Sequence, residues 1–140
     1  MTENYKILSE FIKDISGEIP NIETYLFVKD NISKYHLTIN ITTKALKNKM
    51  IEVCTTLKYE DKEISEKRAY FEINYISVVK INDEVKDKKT LEKILLCDVQ
   101  KTIYPRLEKS LLNLIHDSGF TKVEFGKKID FEKLYKEQFN

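Results

Sequence analysis

Between residues 5 and 81, apolar and polar side chains alternate with a period of two in four separate stretches; from residue 90 onward the apolar side chains recur at helical spacing. Period two puts successive side chains on opposite faces of a strand, and a period near 3.6 puts them on one stripe of a helix. A chain with its strands first and its helices last folds as α+β, with the helices packed over one face of the sheet. The one-sided alternation and the short polar connections at residues 44–49 and 60–66 predict an antiparallel sheet of four strands.

The first strand is expected over residues 5–15, with Ile7, Phe11 and Ile15 on one face and Glu10 and Asp14 on the other. The second spans 34–43, where Leu37, Ile39 and Ile41 oppose Thr38, Asn40 and Thr42. The third spans 50–59, where Ile51, Val53, Leu57 and Tyr59 face inward and Glu52, Thr56 and Lys58 face out. The fourth spans 67–81: Ala69, Phe71, Ile73, Tyr75, Val79 and Ile81 share a face, opposite Tyr70, Glu72 and Asn74. A long crossing segment between the first two strands holds Tyr25, Leu26 and Phe27. In the helical region, Pro105 lacks the amide that would bond the Lys101 carbonyl, and it suits a first helical position. A shorter helix before Tyr104 and a longer one starting at Pro105 are therefore expected. Gly119 and Phe120 fit a Schellman-type end, and Asp130 fits the N-cap of a last helix through Phe131, Leu134 and Tyr135.

Composition narrows the function. Of 140 residues 34% are charged, yet the 24 basic and 23 acidic side chains leave a net charge of only +1. A 16.6 kDa chain supports one core, expected within a single domain over residues 1–140, and a compact monomer of that mass exposes roughly 7,600 Å². Only Arg68 and Arg106 are arginines, and the lysines are not confined to one segment, which argues against nucleic acid as a partner. No apolar run suits a membrane span, and no leader of basic-then-apolar form opens the chain, so direct membrane insertion is not expected and a cytoplasmic location is. Cys54 and Cys97 form neither a CxxC pair nor a disulfide framework, and with the isolated His36 and His116 they lack metal-ligand spacing. No nucleophile elbow, phosphate loop or HExxH helix is present, so neither an enzyme nor a cofactor is expected. The aromatic surplus is the positive signal: one helix layer covers one sheet face, and the apolar area left over forms an oligomer interface or a binding surface.

Lys13-Asp14-Ile15-Ser16-Gly17-Glu18-Ile19-Pro20-Asn21 resembles the K-D-I-S-F-E-A-P-N stretch of the SecB export-chaperone family, agreeing at seven of nine positions. The likeness continues through Leu26-Phe27-Val28-Lys29-Asp30 with a one-residue shift. Phe71-Glu72-Ile73 resembles the family's C-E-V in its fourth strand, Tyr104-Pro105 its F-P at the long helix, and Asp130 to Tyr135 its N-F-D-A-L-F. Two features depart from the pattern: Asn74-Tyr75-Ile76-Ser77 replaces Gln-Gln-Gly-Gly, and the acidic C-terminal tail has no counterpart.

The resemblance implies a homotetramer, a dimer of dimers, acting as an ATP-independent holdase. It would bind unfolded secretory precursor proteins and deliver them to the motor ATPase SecA. Position by position it implies motor contacts at Asp14, Glu18 and Glu72, and assembly through Phe71, Ile73 and Tyr75. Tyr25, Phe27, Tyr104 and Tyr135 are the groove-lining candidates, from their place beside the crossing segment and helices. A SecB-like chaperone dedicated to another client, such as an antitoxin, is the alternative; a small-ligand enzyme on an α+β sheet is a third reading.

Overall fold

The computed structural model describes residues 4–61, 67–126 and 129–139, with the side chains of 138 and 139 excepted. Four strands, β1 (Tyr5–Glu18), β2 (Tyr35–Ala45), β3 (Met50–Asp61) and β4 (Tyr70–Ile81), form one antiparallel sheet in the order β1-β4-β3-β2. Helix α1 (Ile22–Asn31) and a 3₁₀ turn (Ile32–Lys34) carry the chain from β1 to β2. After β4 come α2 (Lys88–Lys93), a π-helical turn (Ile94–Asp98), α3 (Val99–Asp117) and α4 (Phe131–Phe139). The α+β expectation and all four strands are present. The expected turn at 60–66 falls partly on residues 62–66, outside the described residues.

The core lies between the sheet and α3. Phe71, Ile73 and Val79 of β4 and Val53 and Leu57 of β3 are fully buried, as are Leu107, Leu111 and Ile115 of α3. The spacing 107, 111, 115 sets one side of α3 on the sheet. Thr55, between Val53 and Leu57, also points into this layer, where its hydroxyl meets Gln100 Oε1 at 3.1 Å. That bond, with one from Gln100 Nε2 to the Leu95 carbonyl at 3.4 Å, satisfies an amide that would otherwise be costly to bury.

Three expectations are corrected. In β1 the pairing slips between Ile7 and Ser9 and again between Ile12 and Asp14. Each bulge adds a residue and inverts the alternation beyond it. Ile7, Ile12 and Ile15 therefore share the helix-covered face, whereas Phe11 lies opposite Ile76 on the bare face. Glu10, expected opposite Ile7, sits on the helix side, accepting from the Tyr75 hydroxyl at 2.5 Å and pairing with Arg106 at 3.0 Å.

Pro105 does not start a helix; it is the seventh residue of α3. Both Pro105 and Lys101 are exposed, so the carbonyl that loses its donor is on the solvent side. The irregularity is the π turn, seven residues before the proline. The crossing segment, finally, is helical. Asn21 caps α1 by accepting from the Thr24 amide at 2.8 Å. Thr24 and Val28 face inward while Ile22, Leu26 and Phe27 face out, so apolar residues on both sides hide the helical period.

The helix ends expected at Gly119 and Asp130 are present. Phe120 N–H bonds the Ile115 carbonyl and Gly119 N–H the His116 carbonyl, a Schellman pair with Gly119 at φ 103°. Asp130 accepts from the Lys133 amide at 3.1 Å. The chain exposes 9422 Å², well above the roughly 7,600 Å² of a compact monomer of this mass.

Candidate client groove and outer acidic face

The segment after α3 is held down at two points and becomes one wall of a groove. The Tyr25 hydroxyl donates to the Gly119 carbonyl at 3.0 Å, and the His116 ring nitrogen Nε2 meets the Val123 carbonyl at 2.8 Å. Phe120 stacks on Tyr25, with ring centres 5.2 Å apart, and meets Phe71 edge-on at 6.0 Å. The opposite wall is the end of α1, the 3₁₀ turn and the start of β2.

Two clefts lie along this furrow, and Ile32 lines both. The first, about 390 Å³, runs between Lys29 and Ile32 on one side and residues 119–123 on the other. The second, about 350 Å³, is lined by the apolar Tyr35, Leu37, Tyr59, Phe125 and Ile129 and, at its rim, by the polar Ser33, His36 and Glu124. Its floor is a row of tilted rings: Tyr35 to Tyr59 at 5.6 Å and Tyr59 to Phe125 at 5.4 Å. The Tyr35 hydroxyl accepts from the Ala69 amide and donates to its carbonyl, both at 3.0 Å, which fixes the ring from below. Burial raises the pKa of Tyr35 and Tyr59, so both rings stay neutral at physiological pH. The groove is thus aromatic and uncharged at its floor, with an extended strand edge beside it, because β2 ends the sheet.

The expected groove residues separate into two places. Tyr25 braces the wall, and Phe27 is 41% exposed on α1 beside Leu26 at 54% and Ile22 at 68%. Tyr104 lies fifteen residues before Gly119 on α3, roughly 22 Å along the helix axis. It is buried against Phe131 of α4 with ring centres 5.3 Å apart, and among the described residues its hydroxyl makes no well-formed hydrogen bond, Glu108 being the polar group beside it. Burial first, and the Glu108 carboxylate second, push its pKa far up. Tyr135, midway along α4, donates to the Lys89 carbonyl at 3.3 Å. Tyr35, Tyr59 and Phe125 are groove residues the sequence reading missed. Tyr59 read simply as inward-facing, and Phe125, between Gly119 and Gly126, gave only the faint signal of an aromatic in a loop.

Asp14, Glu18 and Glu72 do come together. Asp14 opposes Asn74, Ser16 opposes Glu72 and Glu18 opposes Tyr70, which places all three carboxylates on the bare face near one end of the sheet. Asp14 and Glu18 are exposed; Glu72 is half-buried and pairs with Lys58 at 3.4 Å. Phe71, Ile73 and Tyr75 are buried inside the single chain, on the face beneath α3. The large apolar side chains left exposed on the sheet are instead on the edge strand β1: Leu8, Phe11, Ile12 and Ile15. Among the described residues no cluster of three or more metal-ligating side chains occurs, and no helix is long and apolar enough to cross a membrane.

The family model described as "Preprotein translocase subunit SecB" matches residues 1–140. A candidate protein-export protein SecB of Pelagibacter ubique is 55% identical over 140 residues, the whole of both chains. The protein-export protein SecB of a Bradyrhizobium species is 24% identical over 131 residues, 94% of this chain and 79% of its own. Among solved structures, a Mycobacterium tuberculosis SecB-like chaperone in complex with a ChAD peptide from an antitoxin superposes with a TM-score of 0.63. It is 9% identical, over 89% of this chain and 91% of its own, and so shares the fold.

The wall of the groove supplies a test of this architecture. Gly119→Ala forces a side chain into φ 103°, with its Cβ 2.6 Å from the Tyr25 ring. The expected loss is about 1–3 kcal/mol by urea denaturation, with a weaker near-ultraviolet tyrosine signal as Tyr25 is displaced.

Proposed function

This chain belongs to the SecB family of protein-export chaperones, and on that footing we propose that it holds unfolded secretory precursors without nucleotide and passes them to the SecA motor. The observation that carries the holding step is the aromatic floor Tyr35–Tyr59–Phe125 beside the free edge of β2. A groove already formed and neutral favours a chain that has lost its own core over one that has kept it. Leu26 and Phe27 offer a second exposed apolar area on α1, outside the lining of the two clefts, that a client chain leaving the groove would meet.

Aggregation of a denatured client, followed by light scattering without ATP, tests this. Wild type should suppress it. Leu26→Ser with Phe27→Ser should weaken suppression several-fold while leaving thermal stability nearly unchanged, since both side chains are already exposed. Undiminished aggregation with wild type sinks the holdase reading.

Assembly into a homotetramer is part of the same proposal. It is supported by the surface in excess of a compact monomer and by the apolar edge strand β1, since an open edge with exposed apolar side chains seeks a partner. Phe71, Ile73 and Tyr75 act on assembly through the core beneath that surface. Ile12→Asp with Ile15→Asp should lower the mass measured by light scattering at micromolar concentration; a wild-type monomer there rules the tetramer out.

Delivery rests on the cluster of Asp14, Glu18 and Glu72. An exposed acidic patch steers a basic partner surface and is screened over about 8 Å at physiological salt. Asp14→Lys with Glu72→Lys should abolish binding to the cognate SecA and leave aggregation suppression intact. No binding of SecA by wild type even at low salt would move the assignment to a chaperone dedicated to another client, such as an antitoxin.

A further inference from the structure

The end of the sheet opposite the acidic cluster is rich in lysine. Pairing brings together Lys6 of β1, Lys80 of β4, Lys44, Lys47 and Lys49 around the β2–β3 turn, and the three lysines of residues 86–89. All are exposed. Among the described residues Glu52, Asp83, Glu84, Asp87 and Glu92 oppose them there, with Lys49 paired to Asp83 at 2.8 Å and Lys88 to Glu92 at 4.0 Å. In a chain of net charge +1, this end is strongly positive and the remainder is negative.

Three of these lysines stand where the local structure disfavours them. Lys6 and Lys80 are direct cross-strand partners on one face, an arrangement in which like charges repel. Lys49 is held at φ 60°, after Asn48 at 61°, in a turn closed by the Met50 amide on the Lys47 carbonyl at 3.3 Å. That left-handed conformation is unfavourable for a residue with a β-carbon, and glycine would relieve it. Departures from local preference of this kind concentrate where function holds them. The field is also visible in Asp83, whose carboxyl is held below its usual pKa by Lys49, at 2.8 Å, with further pull from Lys80 and Lys86.

We propose that this lysine-rich end docks the protein on an anionic lipid surface. Lysines are compact point charges that gain from a diffuse negative plane without forming directed pairs. The tip suits a bilayer in a second way: Leu46, 37% exposed, stands between Lys44 and Lys47 and can enter the headgroup layer while they stay with the phosphates. Nucleic acid fits less well, for among the described residues this end offers no arginine and a single partly buried ring, Tyr5, for base stacking. Docked this way, the acidic cluster at the other end of the sheet points away from the membrane.

The test is flotation of the purified protein with phosphatidylcholine vesicles, with and without phosphatidylglycerol, at low and high salt. Binding is expected only to the anionic vesicles and only at low salt. Lys44→Gln and Lys47→Gln should each lower the partition coefficient about fivefold, the factor that corresponds to ~1 kcal/mol per lysine at such a surface. Lys49→Gly and Lys80→Gln should also lower it, yet hold or raise the melting temperature because each removes a local strain; this opposite movement separates a docking role from a folding one. No binding to anionic vesicles overturns the proposal, as does equal binding to neutral ones. Capture of a polyglutamate peptide through the same lysines, with no vesicle binding, would overturn it in favour of an acidic polypeptide partner.

Discussion

Packing of β4 against α3 is the contact from which the other features follow. β4 is flanked on both sides, by β1 and β3, and its inner residues Phe71, Ile73 and Val79 are wholly buried. Removing a side chain of that size from such a layer leaves a cavity worth several kcal/mol. Phe71 also bridges to the groove: its ring meets Phe120, and Phe120 stacks on Tyr25. Core and client wall are therefore one continuous set of rings, and the wall inherits its position from the core.

One helix layer over a four-stranded sheet cannot cover everything. Here the uncovered area falls in two places with different chemistry. The furrow beside β2 is closed enough to be lined by rings on several sides, which suits a flexible segment. The edge strand β1 is extended and carries exposed apolar side chains, which suits another ordered surface. Exposed apolar groups of this extent are costly in an isolated protein, and both functions proposed for them remove that cost by burial.

The polar residues follow the same division. On the bare face, acids gather at one end and lysines at the other, because antiparallel pairing lays the end of β1 beside the start of β4, and its start beside the end. Glu10 and Arg106, by contrast, form a bridge on the helix side, tying β1 to α3 through Tyr75. This bridge compensates a carboxylate that a bulge has turned toward the covered face.

Much of the fold could be read from residue order alone. Leu37, Ile39 and Ile41, or Phe71, Ile73 and Tyr75, alternate without interruption, so their strands and faces were legible. Gly119 and Asp130 were legible as helix ends because capping depends on residues close in sequence. Three features escaped for physical reasons. Bulges in β1 arise from pairing with β4, which no local pattern records. α1 carries apolar residues inside and out, so its period is blurred. Pro105 sits on the exposed side of a helix already fixed by Leu107, Leu111 and Ile115, and tertiary packing outweighs its local preference. The acidic trio was identified by resemblance, and its gathering on one face follows from strand register. The groove floor was not legible, since Tyr35, Tyr59 and Phe125 are far apart in the chain and meet only after β2, β3 and the segment beyond α3 have packed. Sequence by itself determined what each short segment would become, because propensity, alternation and caps act over a few residues. Only the tertiary structure decided which side chains would share a surface, because that depends on register and on contacts between segments that the chain keeps apart.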